Sequence, residues 1–211
     1  MKLKHVESPL SKRMLDIVVS LMIAVLLAPV AVIIICAMFL EAFFVKESRG
    51  PFFYTEIRIS GGKPIAFRKF RLFKQSVIDE ARKKYEVVMS KHLEGKRENF
   101  THTGYLLNRV YMDEIPQLWS VLVGDLSFVG PRPTNPLETK LKRDRGDHTK
   151  DLIVGGLTGP YQSVKGMGFD QETVDMEYIE FVRTHSGFQV LCKDLSIILK
   201  TVRIIFRAQG I

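Results

Sequence analysis

The 211-residue chain has two cysteines, Cys36 and Cys192, which are too few for a disulfide framework and fit a reducing compartment. Its five histidines are scattered, with no HxxxH or CxxC spacing, so the usual zinc motifs are excluded. No internal repeat and no low-complexity segment occurs, which leaves one ordinary domain or a smaller domain with a membrane element. No AxA-like cleavage site precedes Glu41, and the apolar stretch before it is longer than a signal-peptide core of about 7–15 residues. A cleaved leader is therefore rejected.

What the chain does have is positive charge, with a formal net charge of +8, and apolar residues gathered near the N-terminus within an overall hydrophobic content of 46%. Basicity points to anionic partners: nucleic acid, an anionic membrane surface or a phosphorylated substrate. The charge is spread along the chain and no groove-reading or RNA-binding motif accompanies it, so nucleic acid is set aside.

Residues 17–40 read IVVSLMIAVLLAPVAVIIICAMFL, 24 residues without a charge. A helix needs about 20 to cross a bilayer core, so this is a membrane segment. Lys2, Lys4, Lys12 and Arg13 precede it and Lys46, Arg49 and Arg58 follow it, so both flanks carry the mark of the cytoplasmic side. Pro29 sits near the middle, where it removes a backbone donor, and Ser20 offers a hydroxyl to freed backbone groups. A helix that enters and returns on one side satisfies both flanks; a kinked spanning helix is the alternative. The division expected is a membrane element over residues 1–45 and a catalytic domain over 46–211.

After it, PFFYTEIRI and PIAFRKFRLF flank Gly61 and Gly62 and read as a β-hairpin, with Arg68 or Lys69, and Arg71, directed outward. Residues 75–98 read as one amphipathic surface helix through Val77, Ile78, Ala81, Tyr85, Val88 and Met89. In EIPQLWSVLVG, Asp113 is an N-cap candidate, Pro116 falls in the first turn and Gly124 is the stop. Residues 134–156 read as a long loop or short helix, and GGLTGPYQ as turns. DLSIILKTVRIIF puts Leu195, Ile198, Leu199, Val202, Ile205 and Phe206 on one face, with Lys200, Arg203 and Arg207 elsewhere. It is either a core helix or a basic helix lying on a membrane.

MDEIPQ has two readings. As punctuation, Asp113 caps a helix and Glu114 favours its positive end. As chemistry, one carboxylate attacks a phosphate while its neighbour, about 100° away around the helix, holds a metal ion that offsets the repulsion between anions. Arg132, held between Pro131 and Pro133, starts from a restricted backbone and suits bidentate phosphate binding.

KRMLD, the apolar run with its central proline, RKFR, LNRVYMDEIPQLWSVLVGDLSFVGPRP, GGLTGPYQ, EYIEF and DLSIILKTV together resemble the bacterial sugar transferase family, the small-form monotopic phosphoglycosyl transferases. The likeness runs in order along nearly the whole chain. It implies an α+β, mainly helical fold with an N-terminal re-entrant membrane helix, a small β-hairpin and amphipathic interfacial helices. It implies transfer of a sugar phosphate from a nucleotide sugar, usually a UDP-sugar, to polyprenyl phosphate at the cytoplasmic face of the bacterial inner membrane, with UMP released. Asp113 would be the nucleophile, Glu114 the Mg²⁺ ligand, and Arg132, Lys69, Arg71 and Gln162 substrate contacts. Pro29 with Ser20 would break the re-entrant helix, and Lys12, Arg13 and Asp16 would anchor it at the lipid headgroups. Ala28 stands where the family often has serine, Asn108 where an arginine is common, and Lys165 lies near an absent arginine. A membrane-anchored, non-catalytic scaffold is the alternative from another class, and a homodimer is permitted without being required.

Overall fold

The computed structural model describes residues 5–85, 88 and 90–206. Lys2, Lys4, Met89 and Arg207, which carried part of the sequence reading, lie outside them, as do the side chains of Ile205 and Phe206. In chain order the elements are α1 (Leu10–Phe44), β1 (Phe53–Ser60), β2 (Lys63–Phe70), α2 (Gln75–Lys84), α3 (Ser90–Leu93), α4 (His102–Val110), α5 (Gln117–Val123), β3 (Ser127–Val129), α6 (Pro136–Asp144), α7 (Thr149–Leu152), β4 (Gly156–Thr158), α8 (Gln171–Thr184) and α9 (Gly187–Phe206). The protein is mainly helical, with a two-stranded sheet of β1 and β2 and another of β3 and β4.

Among the described residues, α1 is the one helix long and apolar enough to cross a membrane. It starts before the apolar run and ends after it, and it stays helical through Pro29. Leucines and valines along it are open, with Val25 and Leu26 each 74% exposed. That exposure is what an apolar solvent, not a protein core, accommodates.

Two compact units divide the chain. One comprises residues up to 20, 57–65 and 121 onward; the other comprises 21–56 and 66–120. In the first, Val129, Leu152, Ile179, Val182, Val190 and Ile197 form the core. There β3 and β4 pair in parallel, Ser127 opposite Gly156 and Val129 opposite Thr158. GGLTGPYQ therefore holds a strand as well as turns. The pairing needs bare backbone, since a Cβ on Gly156 would lie 2.2 Å from the Gly130 nitrogen. The hairpin tip behaves as expected: Gly61 and Gly62 take φ of +55° and +77°, the left-handed pair of a two-residue hairpin turn. Residues 134–156 resolve into α6, capped by Asn135 with Pro136 at its start, and α7.

The N-terminal basic and acidic residues correct an expectation. Lys12, Arg13 and Asp16 do not reach outward to headgroups. Lys12 is fully buried and bonds Asp194 at 2.6 Å and the Val129 carbonyl at 2.7 Å. Arg13 donates to the Val121 and Leu122 carbonyls at the end of α5, each at 2.6 Å, and Asp16 accepts from the Phe128 N–H and the Ser127 hydroxyl. Short helix ends and strand ends leave carbonyls and N–H groups that these side chains satisfy.

In α9 the buried stripe is Val190, Asp194, Ile197 and Thr201. Leu195, Leu199 and Val202, which the periodicity grouped as one apolar face, are 42%, 61% and 42% exposed, together with Phe188. The polar positions Asp194 and Thr201 go inward because they have partners there: Lys12 and Tyr178 for Asp194, Thr158 for Thr201.

The second unit has its own core, which includes Ile34 and Met38 from α1, Tyr54 and Phe70 from the hairpin, and Ile78, Phe100 and Leu107. Here residues 75–98 are not one helix. α2 stops at Lys84, where Arg82, Lys83 and Lys84 complement the helix C-terminus and Tyr85 turns to an extended backbone. α3 is a separate single turn.

Candidate active site

The carboxylate pair lies at the end of α4. Thr101 caps that helix by accepting from the Gly104 N–H. At its other end Tyr111 adopts φ +56°, ψ +25°, a left-handed conformation unusual for a side chain of this size. The chain thereby turns from α4 into a 3₁₀ turn, Met112–Glu114, that carries both carboxylates. Asp113 is thus not the N-cap of the following helix. α5 begins only at Gln117, after Ile115 and Pro116, and it ends at Gly124 as the sequence suggested. The reason lies in Tyr111: once the chain reverses there, the residues before Pro116 close a tight turn of their own instead of opening α5.

The strand β2 supplies the third member. Lys69 Nζ lies 2.7 Å from Glu114 Oε1 and 3.3 Å from Asp113 Oδ2. The Asp113 side chain is 5% exposed and that of Glu114 is 32% exposed. One carboxylate is therefore enclosed and its neighbour faces solvent, with one ammonium shared between them.

Burial raises the Asp113 carboxyl above its ordinary value of 3.8; Lys69 opposes this and Glu114 adds to it, and burial prevails. Burial alone would lower Lys69, but attraction from Glu114 and then Asp113 overcomes it and holds the ammonium above 10.5. Glu56, which the sequence reading passed over, adds to the same field, and its carboxylate accepts from the Ser90 N–H and hydroxyl. A partly desolvated carboxylate with a raised proton affinity is a better nucleophile than a solvated one.

Arg71, two residues beyond Lys69, is turned inward, contrary to the outward reading of the hairpin. β2 ends at Phe70, so strand alternation no longer governs it. It is 3% exposed, and its guanidinium donates to the carbonyls of Pro51, Phe73 and Ser48 at 2.7, 2.7 and 2.6 Å. Its task is to tie backbone segments together.

Arg132 and Gln162 belong to the other unit. Arg132 is half-buried between buried Pro131 and Pro133, whose carbonyls accept from Gly156 and Arg58. Gln162 is 7% exposed; its Oε1 makes no hydrogen bond and packs over Gly159 so closely that a Cβ there would lie 2.1 Å away. In α1, Ser20 is fully buried and its hydroxyl makes no hydrogen bond, and Pro29 lies inside the helix.

A magnesium ion takes one or two carboxylates and completes its shell with substrate phosphate and water. Asp113 and the half-open Glu114 supply hard oxygen donors of that kind. Among the described residues no group of three or more His, Cys, Asp or Glu side chains is arranged to hold a metal. The pair fits an ion that arrives with a phosphorylated substrate.

Tyr111 had no signal in the sequence, because neither glycine nor asparagine marks its left-handed turn. Lys69 was found only through RKFR, and its geometry shows the reason for its place: it is the counter-ion of both carboxylates.

Comparison with known proteins places the chain in a family. The family model of the bacterial sugar transferases matches residues 7–208. The chain is 30% identical to a UDP-galactose-lipid carrier transferase of Erwinia amylovora over 216 residues, which is 98% of this chain and 42% of that protein. It is 31% identical to a UDP-glucose:undecaprenyl-phosphate glucose-1-phosphate transferase of Caulobacter vibrioides over 212 residues, 95% of this chain and 71% of that one. It is 37% identical, over 61% of its own length and 65% of the other's, to a putative undecaprenyl-phosphate N-acetylgalactosaminyl 1-phosphate transferase of Bacillus subtilis. The chain thus spans less than half of the Erwinia relative and about two thirds of the Bacillus one. With a family match over nearly its full length and the DEIPQ carboxylates gathered against Lys69, the chain belongs to the bacterial sugar transferase family.

Proposed function

We propose that this protein transfers a sugar 1-phosphate from a UDP-sugar to polyprenyl phosphate, undecaprenyl phosphate in bacteria, through a covalent intermediate on Asp113. The observation that carries this reading is the enclosed Asp113 carboxylate, raised in proton affinity and joined to Glu114 by Lys69. Relatives named for undecaprenyl-phosphate sugar phosphate transfer support the substrate class.

In the first step an Asp113 oxygen attacks the sugar-linked phosphorus. The bond from that phosphorus to the bridging oxygen breaks, and UMP leaves with the electron pair. In the second step a phosphate oxygen of the lipid attacks the same phosphorus, the bond to Asp113 breaks, and the carboxylate is regenerated. Products are the polyprenyl diphosphate sugar and UMP. Lys69 orients Asp113 and offsets charge as the substrate diphosphate approaches. Glu114 would hold Mg²⁺, which when bound supplies charge neutralisation on the phosphates. Arg132 and Gln162 are proposed substrate contacts.

The membrane side of the reading rests on α1. Residues 17–40 insert from the cytoplasmic face of the inner membrane, and the proposed return is a bend of α1 at Pro29, where the helix lacks a backbone donor, with residues 1–45 as the anchor and 46–211 as the catalytic part. The open apolar face of α9, Phe188, Leu195, Leu199 and Val202, lies on the lipid surface, where its basic neighbours meet headgroups.

The test is UMP release by the full chain in nanodiscs with Mg²⁺, undecaprenyl phosphate and a panel of UDP-sugars. Release that depends on the lipid and falls by at least about 10³-fold in Asp113→Asn is expected. A folded Asp113→Asn variant that keeps wild-type turnover removes the nucleophile. No release from any donor, and no phosphosugar adduct by intact mass, favours a membrane-anchored scaffold.

A further inference from the structure

Glu41 is an acidic residue at the close of a 35-residue apolar helix, and nothing in the transfer chemistry calls for it there. Its carboxylate is fully engaged. Oε1 accepts from the His102 N–H at 2.7 Å and from the Ser48 hydroxyl at 2.6 Å, while Oε2 accepts from the Thr103 N–H at 2.8 Å. His102 and Thr103 open α4, so Glu41 satisfies two of the N–H groups that a helix start leaves unpaired. Burial works against the charged form, yet hydrogen bonds from Ser48, Thr103 and His102 hold its pKa down to about 2.

From this one carboxylate two routes lead to the site. Along the first, α4 runs nine residues from His102 to Val110, turns at Tyr111 and delivers Asp113 and Glu114. Along the second, Ser48 gives its hydroxyl hydrogen to Glu41 while its carbonyl takes a hydrogen bond from Arg71. Arg71 also clamps the Pro51 and Phe73 carbonyls, and Lys69 stands two residues before it at the end of β2. The two routes meet where Lys69 bonds Glu114 and Asp113.

We infer that Glu41 is a positioning residue: one carboxylate at the end of the membrane helix holds both the Lys69 side and the Asp113–Glu114 side of the site in register. The inference rests on the proposed transfer reaction for its kinetic consequence, though not for its structural one. Because the ion pair is short and shared, a displacement of about 1 Å in either half breaks it, and misplacement of that size costs up to about 10²-fold in rate. Glutamine at position 41 keeps one acceptor oxygen, enough for the His102 N–H and the Ser48 hydroxyl together, and sets an amide donor against the Thr103 N–H, so one of the two bonds to the start of α4 is lost.

The experiment compares wild type, Glu41→Gln and Glu41→Ala as full chains in nanodiscs, by steady-state kinetics and by amide hydrogen exchange over residues 101–116. In Glu41→Gln, kcat falls by about tenfold to a hundredfold while KM for the UDP-sugar stays within about threefold, and Glu41→Ala falls further. Exchange over 101–116 quickens by about tenfold at equal folded fraction. Wild-type exchange in a folded Glu41→Gln overturns the inference, as does a loss of turnover that only tracks loss of folded protein. A wild-type chain that releases no UMP sinks the functional reading instead, and exchange alone then decides whether Glu41 orders the site.

Discussion

Each compact unit contains a lysine bonded to an aspartate, and the two pairs are built differently. Lys12 and Asp194 are 2.6 Å apart with side chains 0% and 1% exposed; Asp194 also accepts from the Tyr178 hydroxyl and Lys12 also donates to the Val129 carbonyl. Lys69 is shared at 3.3 and 2.7 Å between Asp113 and Glu114, and Glu114 is 32% exposed. Burial raises both aspartates, so proton affinity alone does not tell them apart. Exposure does. A pair enclosed on both sides contributes to the fold, whereas a lysine divided between two carboxylates, one of them about a third exposed, stands where a ligand in solvent can reach it.

The widest separation should come from removing each lysine. Lys12→Met leaves Asp194 buried without its counter-ion and should cost about 3–5 kcal/mol of stability, read by denaturant unfolding, with turnover per folded molecule unchanged. Lys69→Met should instead lower kcat by about 10²-fold with a smaller change in stability, and the acidic limb of its residual activity should lie above that of wild type. Equal stability losses with equal turnover would erase the distinction.

Next in size is Glu114→Gln, which keeps the shape of the open side chain and removes its charge. The Mg²⁺ concentration for half-maximal turnover should rise by about tenfold or more, while Asp113 still forms its adduct at high Mg²⁺. An unchanged Mg²⁺ response would assign the ion to other ligands.

The smallest effect is in the pH profile. Asp113 is raised by burial, so its carboxylate becomes protonated above the ordinary 3.8 as pH falls, and the acidic limb of kcat/KM should sit above that value. For stability the sign is the same at both groups, since each holds its proton more tightly in the folded state and stability falls as pH rises through the window. Lys69 is raised by its partners, so its contribution is complete below 10.5 and is lost as pH climbs through the higher folded value. Both limbs are read by one series of kinetics and melting measurements across pH.

The sequence made local features legible where a residue's own chemistry decides the outcome. The 24 uncharged residues, the Gly61–Gly62 turn, Gly124 as a helix stop and the adjacent Asp113 and Glu114 are of this kind. It was least legible where a side chain answers to a partner far along the chain. α9 is the clearest case: apolar periodicity grouped Leu195, Leu199 and Val202, yet the buried stripe runs through Asp194 and Thr201 because Lys12, Tyr178 and Thr158 wait there. Arg71 looked like a substrate contact beside Lys69, and three carbonyls claim it. The single helix read over 75–98 is divided because α2 and α3 serve the core separately, with Ile78 and Leu93 each buried in it.

By itself, then, the sequence determined the apolar helix, the hairpin turn and the identity of the carboxylate pair, since charge, absence of charge and glycine freedom act within a few residues. Only the tertiary structure decided that Lys69 is shared by both carboxylates, that Tyr111 reverses the chain to present them, and that Lys12 and Arg71 are spent on the fold. The physical reason is that a polar side chain goes where its hydrogen bonds can be completed, and the groups that complete them lie in segments that folding alone brings together.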